Sequence, residues 1–339
     1  PQRQDLPRAA GRVGGGENIV KALVTGGGGF LGKAIVKLLL ARGDAVRTFS
    51  RGAYPELVEL GAEHLSGEIS DAEAVLNAVA GCDIVFHVAA KAGVWGPYDA
   101  FYRANVLGTK NVIAACRQNG IRRLVHTSSP SVVFDGTDME GVDESVPYPD
   151  HYEAFYPQTK ADAEQLVLQA NDDTLATVSL RPHLIWGPED NHLVPRILER
   201  GARGQLRRIG TRACLVDTIY IDNAATAHLQ AADRLEIGSV VAGKAYFLAQ
   251  GEPLPVWDVV NRILAAGGLP PVSRTISPRL AYAAGAVLEK GYSLLRLKGE
   301  PRMTRFVARE LSTAHWFDLS AARRDFGYAP QVSFDEGIE

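Results

Sequence analysis

A chain of 339 residues, 46% of them apolar and 22% charged, has the balance of a soluble globular protein, large enough for one big α/β domain or a cofactor domain with a smaller substrate lobe. A net charge of −3, with cations scattered among acids, argues against a nucleic-acid partner and for small-molecule chemistry. The three cysteines, Cys82, Cys116 and Cys214, lie far apart without a CxxC pair, so neither a disulfide framework nor a zinc site is indicated and a reducing cytoplasm fits.

Residues 1–18 are rich in Arg, Gly and Pro, lack an apolar run, and read as a flexible extension rather than a signal peptide. From Ile19 the chain alternates β-branched runs (NIVKALVT, DAVRTFS, CDIVFHVAA, IRRLVHTSS) with helical patterns such as Leu31 to Ala41 and Ala100 to Gln118. That alternation predicts an α/β fold with a Rossmann-type, doubly wound parallel sheet over residues 19–184. After the strand TLATVSLRP the pattern degrades, so residues 185–339 are assigned to a smaller substrate-binding lobe. TIYIDNAATAHLQAADRL reads as a strand end entering a helix, so this lobe is expected to be interleaved with the first domain. No apolar run reaches the roughly 20 residues that span a bilayer. The nearest, Ile276 to Leu297, is interrupted by Arg279, Glu289, Lys290 and Arg296.

The first strand ends in TGGGGFLG, which places Gly26, Gly29 and Gly32 at a strand-to-helix turn. Glycines there let backbone N–H groups approach a pyrophosphate at a helix N-terminus. The second strand ends in Ser50 and Arg51, where an acid would select NAD. A hydroxyl beside a guanidinium instead suits a 2′-phosphate, so NADP(H) is the expected cofactor. In YPQTK, Tyr156 and Lys160 are four apart on a helical pattern and share a face. An ammonium near a phenol would lower its pKa and let Tyr156 exchange a proton with a ketone or alcohol. Ser128 and Ser129 close RRLVHTSS at the carboxyl end of the predicted sheet, where a hydroxyl can hold a substrate oxygen.

Taken together, TGGGGFLG, HVAA from His87 to Ala90, RANVLGT around Asn105, TSS, YPQTK, LRPHLIWGP and the closing FGYAPQVSFDEGI resemble the extended short-chain dehydrogenases/reductases over nearly the whole chain from Ile19. The resemblance implies a catalytic triad of Ser129, Tyr156 and Lys160, supported by Asn105 through backbone or water contacts. Ser129 is preferred to Ser128 because it precedes Val132 by the family's SxxV spacing. It also implies that Lys160 holds the nicotinamide ribose and that Pro182 and His183 border the nicotinamide. Phe30, Leu31, Glu68, Ile69, Ala89, Ala90 and Lys91 would lie along the rest of the dinucleotide. Glu68 and Asp71 also read as a helix cap.

TSSPSVVFDG and HVAAKAGVWG are most similar to the 3β-hydroxysteroid dehydrogenase branch, and within it to bacterial reductases of long-chain olefin biosynthesis that convert a 2-alkyl-3-oxo acid to the 3-hydroxy acid. An apolar ketone or alcohol bearing a carboxylate is then the expected substrate. Lys91 is a candidate for its head group, and Trp95, Tyr98 and Phe101 stand near the expected site. Ala281, Tyr282, Gly285, Leu288, Tyr292 and Leu295 recur at helical spacing and predict an apolar face over the alkyl tail. The resemblance further implies a homodimer and allows contact with other pathway enzymes or a membrane surface. A sterol dehydrogenase and an NADP-sensing regulator are the competing readings; sensors of this fold commonly lack the tyrosine that is present here.

Overall fold

The computed structural model describes residues 19–339. The extension expected over residues 1–18 lies outside them. Seven strands form one parallel sheet: β1 (Lys21–Thr25), β2 (Ala45–Ser50), β3 (Glu63–Ser66), β4 (Ile84–His87), β5 (Arg123–Thr127), β6 (Ala176–Pro182) and β7 (Lys244–Leu248), in the order β7-β6-β5-β4-β1-β2-β3. The central strands read LVT, IVFH, LVH and ATVSLRP because both faces are covered by helices, and a doubly covered strand has no solvent face to fill with polar residues. The strand order reverses between β1 and β4. Such a reversal leaves a crevice at the carboxyl ends of the strands, and there the turn after β1 meets the loop after β4.

Helix α1 (Phe30–Arg42) lies on one face of the sheet beside α6 (Ile221–Arg234). The other face carries α2 (Ala72–Val79), α3 (Gly108–Gln118) and α4 (Phe155–Gln169). Each layer has its own apolar cluster: Ile35, Leu39, Val125, Ala224 and Ala231 in the first, Leu23, Val75, Val112, Leu124 and Val167 in the second. Strands β3 and β7 were not predicted. They are the sheet edges: β3 (EHLS) is short and polar, and β7 (KAYFL) lies apart from the regular alternation, after the irregular stretch that follows β6.

The helix predicted over Ala100–Gln118 is interrupted. One turn, Tyr98–Phe101, leads into a π-helical segment, Tyr102–Leu107, before α3 begins. The wider turn carries Asn105, whose buried amide binds both polar atoms of the Lys91 backbone: Oδ1 accepts from Lys91 N at 2.7 Å and Nδ2 donates to Lys91 O at 3.2 Å.

Beyond β6 the chain leaves the sheet to form α5 (Leu193–Ala202), returns through α6 and β7, and leaves again for α7 (Val256–Ala266), α8 (Pro278–Leu294) and α9 (Arg305–Glu310). A third cluster, built on Trp257, Val260, Ile263 and Ala308, holds these helices together. Helix α8 does not do what its periodicity suggested. Its Ala281 and Gly285 are buried, and a Cβ on Gly285 would stand 2.7 Å from the Arg305 nitrogen at the start of α9. Glu289 accepts from both Arg305 N and Nε, at 2.7 and 2.6 Å. Leu280, Val287 and Leu294, one stripe seven residues apart, point to solvent. The helix packs on its neighbour and forms no wall of the cavity described next.

Candidate active site

A cleft of about 1400 Å³ runs from the turn after β1, over the carboxyl ends of β4, β5 and β6, to α5 and α9. The turn is shaped by close approach. Gly26 has φ +70°, and a Cβ there would lie 2.9 Å from the Ala89 backbone. Gly32, in the first turn of α1, would put a Cβ 2.2 Å from the Gly26 carbonyl oxygen, which itself accepts from Gly29 N at 2.9 Å. Only glycine allows this packing, and the floor it creates is a backbone cradle at the start of α1, beside Phe30 and Leu31, that fits a dinucleotide pyrophosphate. At the far end of this half, the Ser50 hydroxyl accepts from Gly28 N at 3.2 Å. Arg51 is exposed, borders the cleft, and makes no ion pair among the described residues. Glu68, Ile69, Ala89 and Ala90 line the same half. Asp71, by contrast, caps α2, accepting from Glu73 N and Ala74 N at 3.0 and 3.2 Å.

Tyr156 and Lys160 sit on the first two turns of α4 and both reach the cleft, as does Ser129 just after β5. Their electrostatics differ from the expectation. Burial raises the Tyr156 phenol above its ordinary range; a hydrogen bond from Ser129 acts against that, and Glu310 adds to it. Lys160 does not aim at the phenol. Its ammonium donates to Thr127 O at 2.5 Å and to His126 Nε2 at 3.3 Å, and burial lowers it to about 8 against the opposing charge of Glu164. The ammonium is thus turned toward β5, and the Ser129 hydroxyl is the group that favours the ionised phenol here. Ser129 also shares a hydrogen bond with the Ser131 hydroxyl at 2.9 Å, whereas Ser128 is buried beside it with its N–H spent on Leu180 O at 2.6 Å.

Beneath α4 the sheet is polar. Thr25, His87, His126 and Ser179 are register partners across β1, β4, β5 and β6. Thr25 Oγ accepts from Ala89 N at 3.2 Å and so offers its proton to His87 Nδ1 at 2.8 Å. His87 Nε2 then donates to Thr109 Oγ at 2.9 Å, and Thr109 donates to Asn105 O at 2.6 Å. Burial lowers His87 to about 3, which keeps it neutral and the chain of donors one-directional. Asn105 is therefore a positioning residue for the loop after β4. Its Nδ2 also reaches Thr159 Oγ at 3.0 Å on α4, and it does not border the cleft.

The other half of the cleft takes its walls from distant chain segments. Pro182 ends β6 and His183 follows it; His183 Nε2 bonds His315 Nδ1 at 2.8 Å, and burial holds His183 neutral. Leu184 turns the chain with φ +46° and lines the cleft with Ile185, Leu193 and Phe306. Lys91 also lines it, its ammonium 5.0 Å from the centre of the Phe101 ring. The aromatics Trp95, Tyr98 and Phe101 pack elsewhere: Phe101 is buried, Tyr98 stacks edge-on against Phe155 at 5.4 Å, and Trp95 against Tyr292 at 6.3 Å.

Glu310, at the end of α9, is the residue that sequence reasoning missed. Its carboxyl borders the cleft without a hydrogen-bond partner among the described residues, and burial raises it to about 7. RFVARELS gives no local sign of this, because only the docking of α9 brings it opposite Tyr156.

A paired serine and tyrosine, a buried lysine on the same helix and a glycine cradle share one cleft, and comparison with known proteins agrees with that arrangement. The model of the 3-beta hydroxysteroid dehydrogenase/isomerase family matches residues 23–279. The chain belongs to this family. It is 55% identical over 321 residues to the 2-alkyl-3-oxoalkanoate reductase of Stenotrophomonas maltophilia (strain K279a), covering 94% of this chain and 97% of that one. Against the Shewanella oneidensis reductase of the same name the identity is 52%, over 94% and 84% of the two chains. Among solved structures, the Thermus thermophilus UDP-glucose 4-epimerase complex with NAD superposes with a TM-score of 0.71 at 26% identity, covering 94% of this chain and 96% of that one. This member of the 3-beta hydroxysteroid dehydrogenase/isomerase family is an oxidoreductase acting on CH–OH groups with a nicotinamide dinucleotide. None of its described helices is long and apolar enough to cross a membrane.

Proposed function

We propose that the protein reduces 2-alkyl-3-oxoalkanoates to 2-alkyl-3-hydroxyalkanoates with NADPH, as a step of long-chain olefin biosynthesis. The observation that carries this is a single cleft in which the Ser129–Tyr156 pair faces an apolar wall of Leu184, Ile185, Leu193 and Phe306, in a chain 55% identical to a reductase of that name. When bound, the nicotinamide supplies the hydride. Ser129 holds the substrate oxygen and Tyr156 gives it a proton. Lys160, already buried and below its usual range, holds the ribose beside Pro182 and His183. Gly26, Gly29 and Gly32 seat the pyrophosphate, with Phe30, Leu31, Ile69, Ala89 and Ala90 alongside and Glu68 near the adenosine. The Ser50 hydroxyl and the unpaired Arg51 guanidinium select the 2′-phosphate. Lys91 offers a cation to the substrate carboxylate. A homodimer in the cytoplasm, in contact with other pathway enzymes or a membrane surface, belongs to the same reading; the exposed Leu280, Val287 and Leu294 supply an apolar surface for it.

The test is a spectrophotometric screen of NADP+ and NAD+ against 2-alkyl-3-hydroxy acids, hydroxysteroids and nucleotide sugars. The highest kcat/KM is expected for a 2-alkyl-3-hydroxy acid with NADP+. A hydroxysteroid used better, or NAD+ used equally well, overturns the corresponding part.

A further inference from the structure

Behind Lys160 a chain of hydrogen bonds continues away from the cleft. Glu164, one turn further along α4, is fully buried with Arg181; burial would push its carboxyl up, but the Arg181 charge and hydrogen bonds hold it below its ordinary range. Arg181 Nε and Nη2 reach Glu164 Oε2 and Oε1 at 3.0 and 2.6 Å. An ionised carboxylate only accepts, so the Ser179 hydroxyl, 3.2 Å from Oε2, is the donor. Ser179 Oγ is then free to accept from His126 Nδ1 at 2.9 Å. His126 is neutral, through burial first and the nearby Lys160 charge second, so its Nε2 is left to accept from the Lys160 ammonium at 3.3 Å. The Tyr148 hydroxyl closes the far end, donating to Glu164 Oε1 at 2.7 Å. One assignment of protons satisfies every link. Tyr148 and Arg181 border a second cavity of about 460 Å³, shared with Glu144, Lys244 and Asp325 and with no lining residue in common with the first cleft.

We infer that Lys160 exchanges its proton with solvent through His126, Ser179 and Glu164, with Tyr148 as the outlet into the second cavity. This rests on Tyr156 and Lys160 being the proton-transfer pair proposed above. In alcohol oxidation, one proton arriving at that pair moves from Lys160 to His126 Nε2, the Nδ1 proton moves to Ser179, and the Ser179 proton moves to Glu164. The carboxyl so formed loses its proton to water beside Tyr148. In ketone reduction the same atoms carry one proton inward, with the imidazole proton on Nε2 at the outset. The Asn105 side chain is not part of this route, because its amide is committed to Lys91 and Thr159. The relay residues act through Lys160 and touch neither substrate nor cofactor.

The charged and titratable groups that face His126 are Lys160 on α4, His87 on β4 and His228 on α6, while Arg181 on β6 and Tyr148 in the loop before α4 face Glu164. The decisive variant is His126→Gln. Its amide oxygen can accept from Lys160 and its NH2 can donate to Ser179, so the geometry survives while proton transfer does not. With a 2-alkyl-3-hydroxy acid and NADP+, His126→Gln is expected to lower kcat by at least roughly tenfold and enlarge the solvent deuterium isotope effect on kcat, with NADP+ affinity within about twofold of the parent. Ser179→Ala should do the same, and Ser179→Thr, which keeps the hydroxyl, should recover most of the loss. Unchanged kcat in His126→Gln overturns the relay. So does a fall in kcat and NADP+ affinity together with an unaltered isotope effect, which would make the chain a scaffold for Lys160. Tyr156→Phe is measured alongside: full turnover there removes the proton-transfer pair and the relay with it, whereas an inactive Tyr156→Phe beside a normal His126→Gln removes the relay alone.

Discussion

The half of the cleft around Gly26 and Gly32 and the half around Leu184, Phe306 and Glu310 hold their shape by different means. The first is backbone against backbone: a turn, a helix start and the loop after β4 meet at distances that exclude any Cβ. The second is side chains from segments more than a hundred residues apart, held by the docking of α5 and α9 on a third apolar cluster. A surface made by backbone recognises what every dinucleotide shares, and one made by side chains can vary with substrate while the first stays fixed.

The boundary between the halves is Tyr156, so its loss should give the largest effect. Tyr156→Phe is expected to lower kcat by about 10² to 10⁴ and leave cofactor affinity nearly intact, as read by steady-state rates beside cofactor titration. Equal loss of both would mean that the phenol belongs to the cofactor half. Within that half, Arg51→Ala should weaken NADPH relative to NADH by about 1.5 to 3 kcal/mol, the worth of the charge-assisted phosphate contact proposed for it. Binding titrations of both cofactors check it, and a parent protein with no preference defeats it.

In the substrate half, Glu310→Gln should change how stability depends on pH. The folded-state value of about 7 lies above that of an exposed carboxyl, so the folded protein keeps a proton that the unfolded chain has lost. Parent stability therefore falls as pH rises from about 4.5 to 7, and the Gln variant should lack that fall, on the order of 2 kcal/mol once the side chain's contact with the cleft is allowed for. Denaturant melts at pH 4.5 and 7.5 measure it. The smallest effect is expected from Leu294→Ser. Its side chain is 84% exposed on α8 and faces away from the cleft, so stability should stay within about 0.5 kcal/mol and the dependence of kcat/KM on alkyl length should not change. An altered chain-length profile would return α8 to the substrate half.

The same contrast explains what could be read in the sequence. TGGGGFLG and YPQTK place their residues through local geometry, a tight turn and one helical turn, so Gly26, Gly32, Tyr156 and Lys160 were legible, as was the parallel sheet. Glu310 was not, because its role depends on docking and not on its neighbours in the chain. The apolar face of α8 was legible as a helix, but periodicity does not say whether such a face meets a ligand or another helix; here it met α9. The direction of Lys160 was also hidden. Spacing put it on the face of Tyr156, but His126 and Thr127, from a different strand, decide where the ammonium points. One signal was available and unused: an arginine as the one charge inside a buried strand, TLATVSLRP, requires a buried acid, and Glu164 is that acid.

The interleaving of the sheet also bears on how the protein is made. Strand β6 pairs with β5 on one side and with β7 on the other, yet residues 183–243 separate β6 from β7 in the chain. During synthesis the Ala176–Pro182 edge therefore emerges well before the strand that covers it, and an open strand edge invites pairing with another chain. The π-turn, the glycine cradle and Tyr156 are all complete on the nascent chain by then. A message truncated before Lys244 would yield a chain carrying both Tyr156 and Lys160 and an unprotected sheet, prone to aggregate before it could turn over.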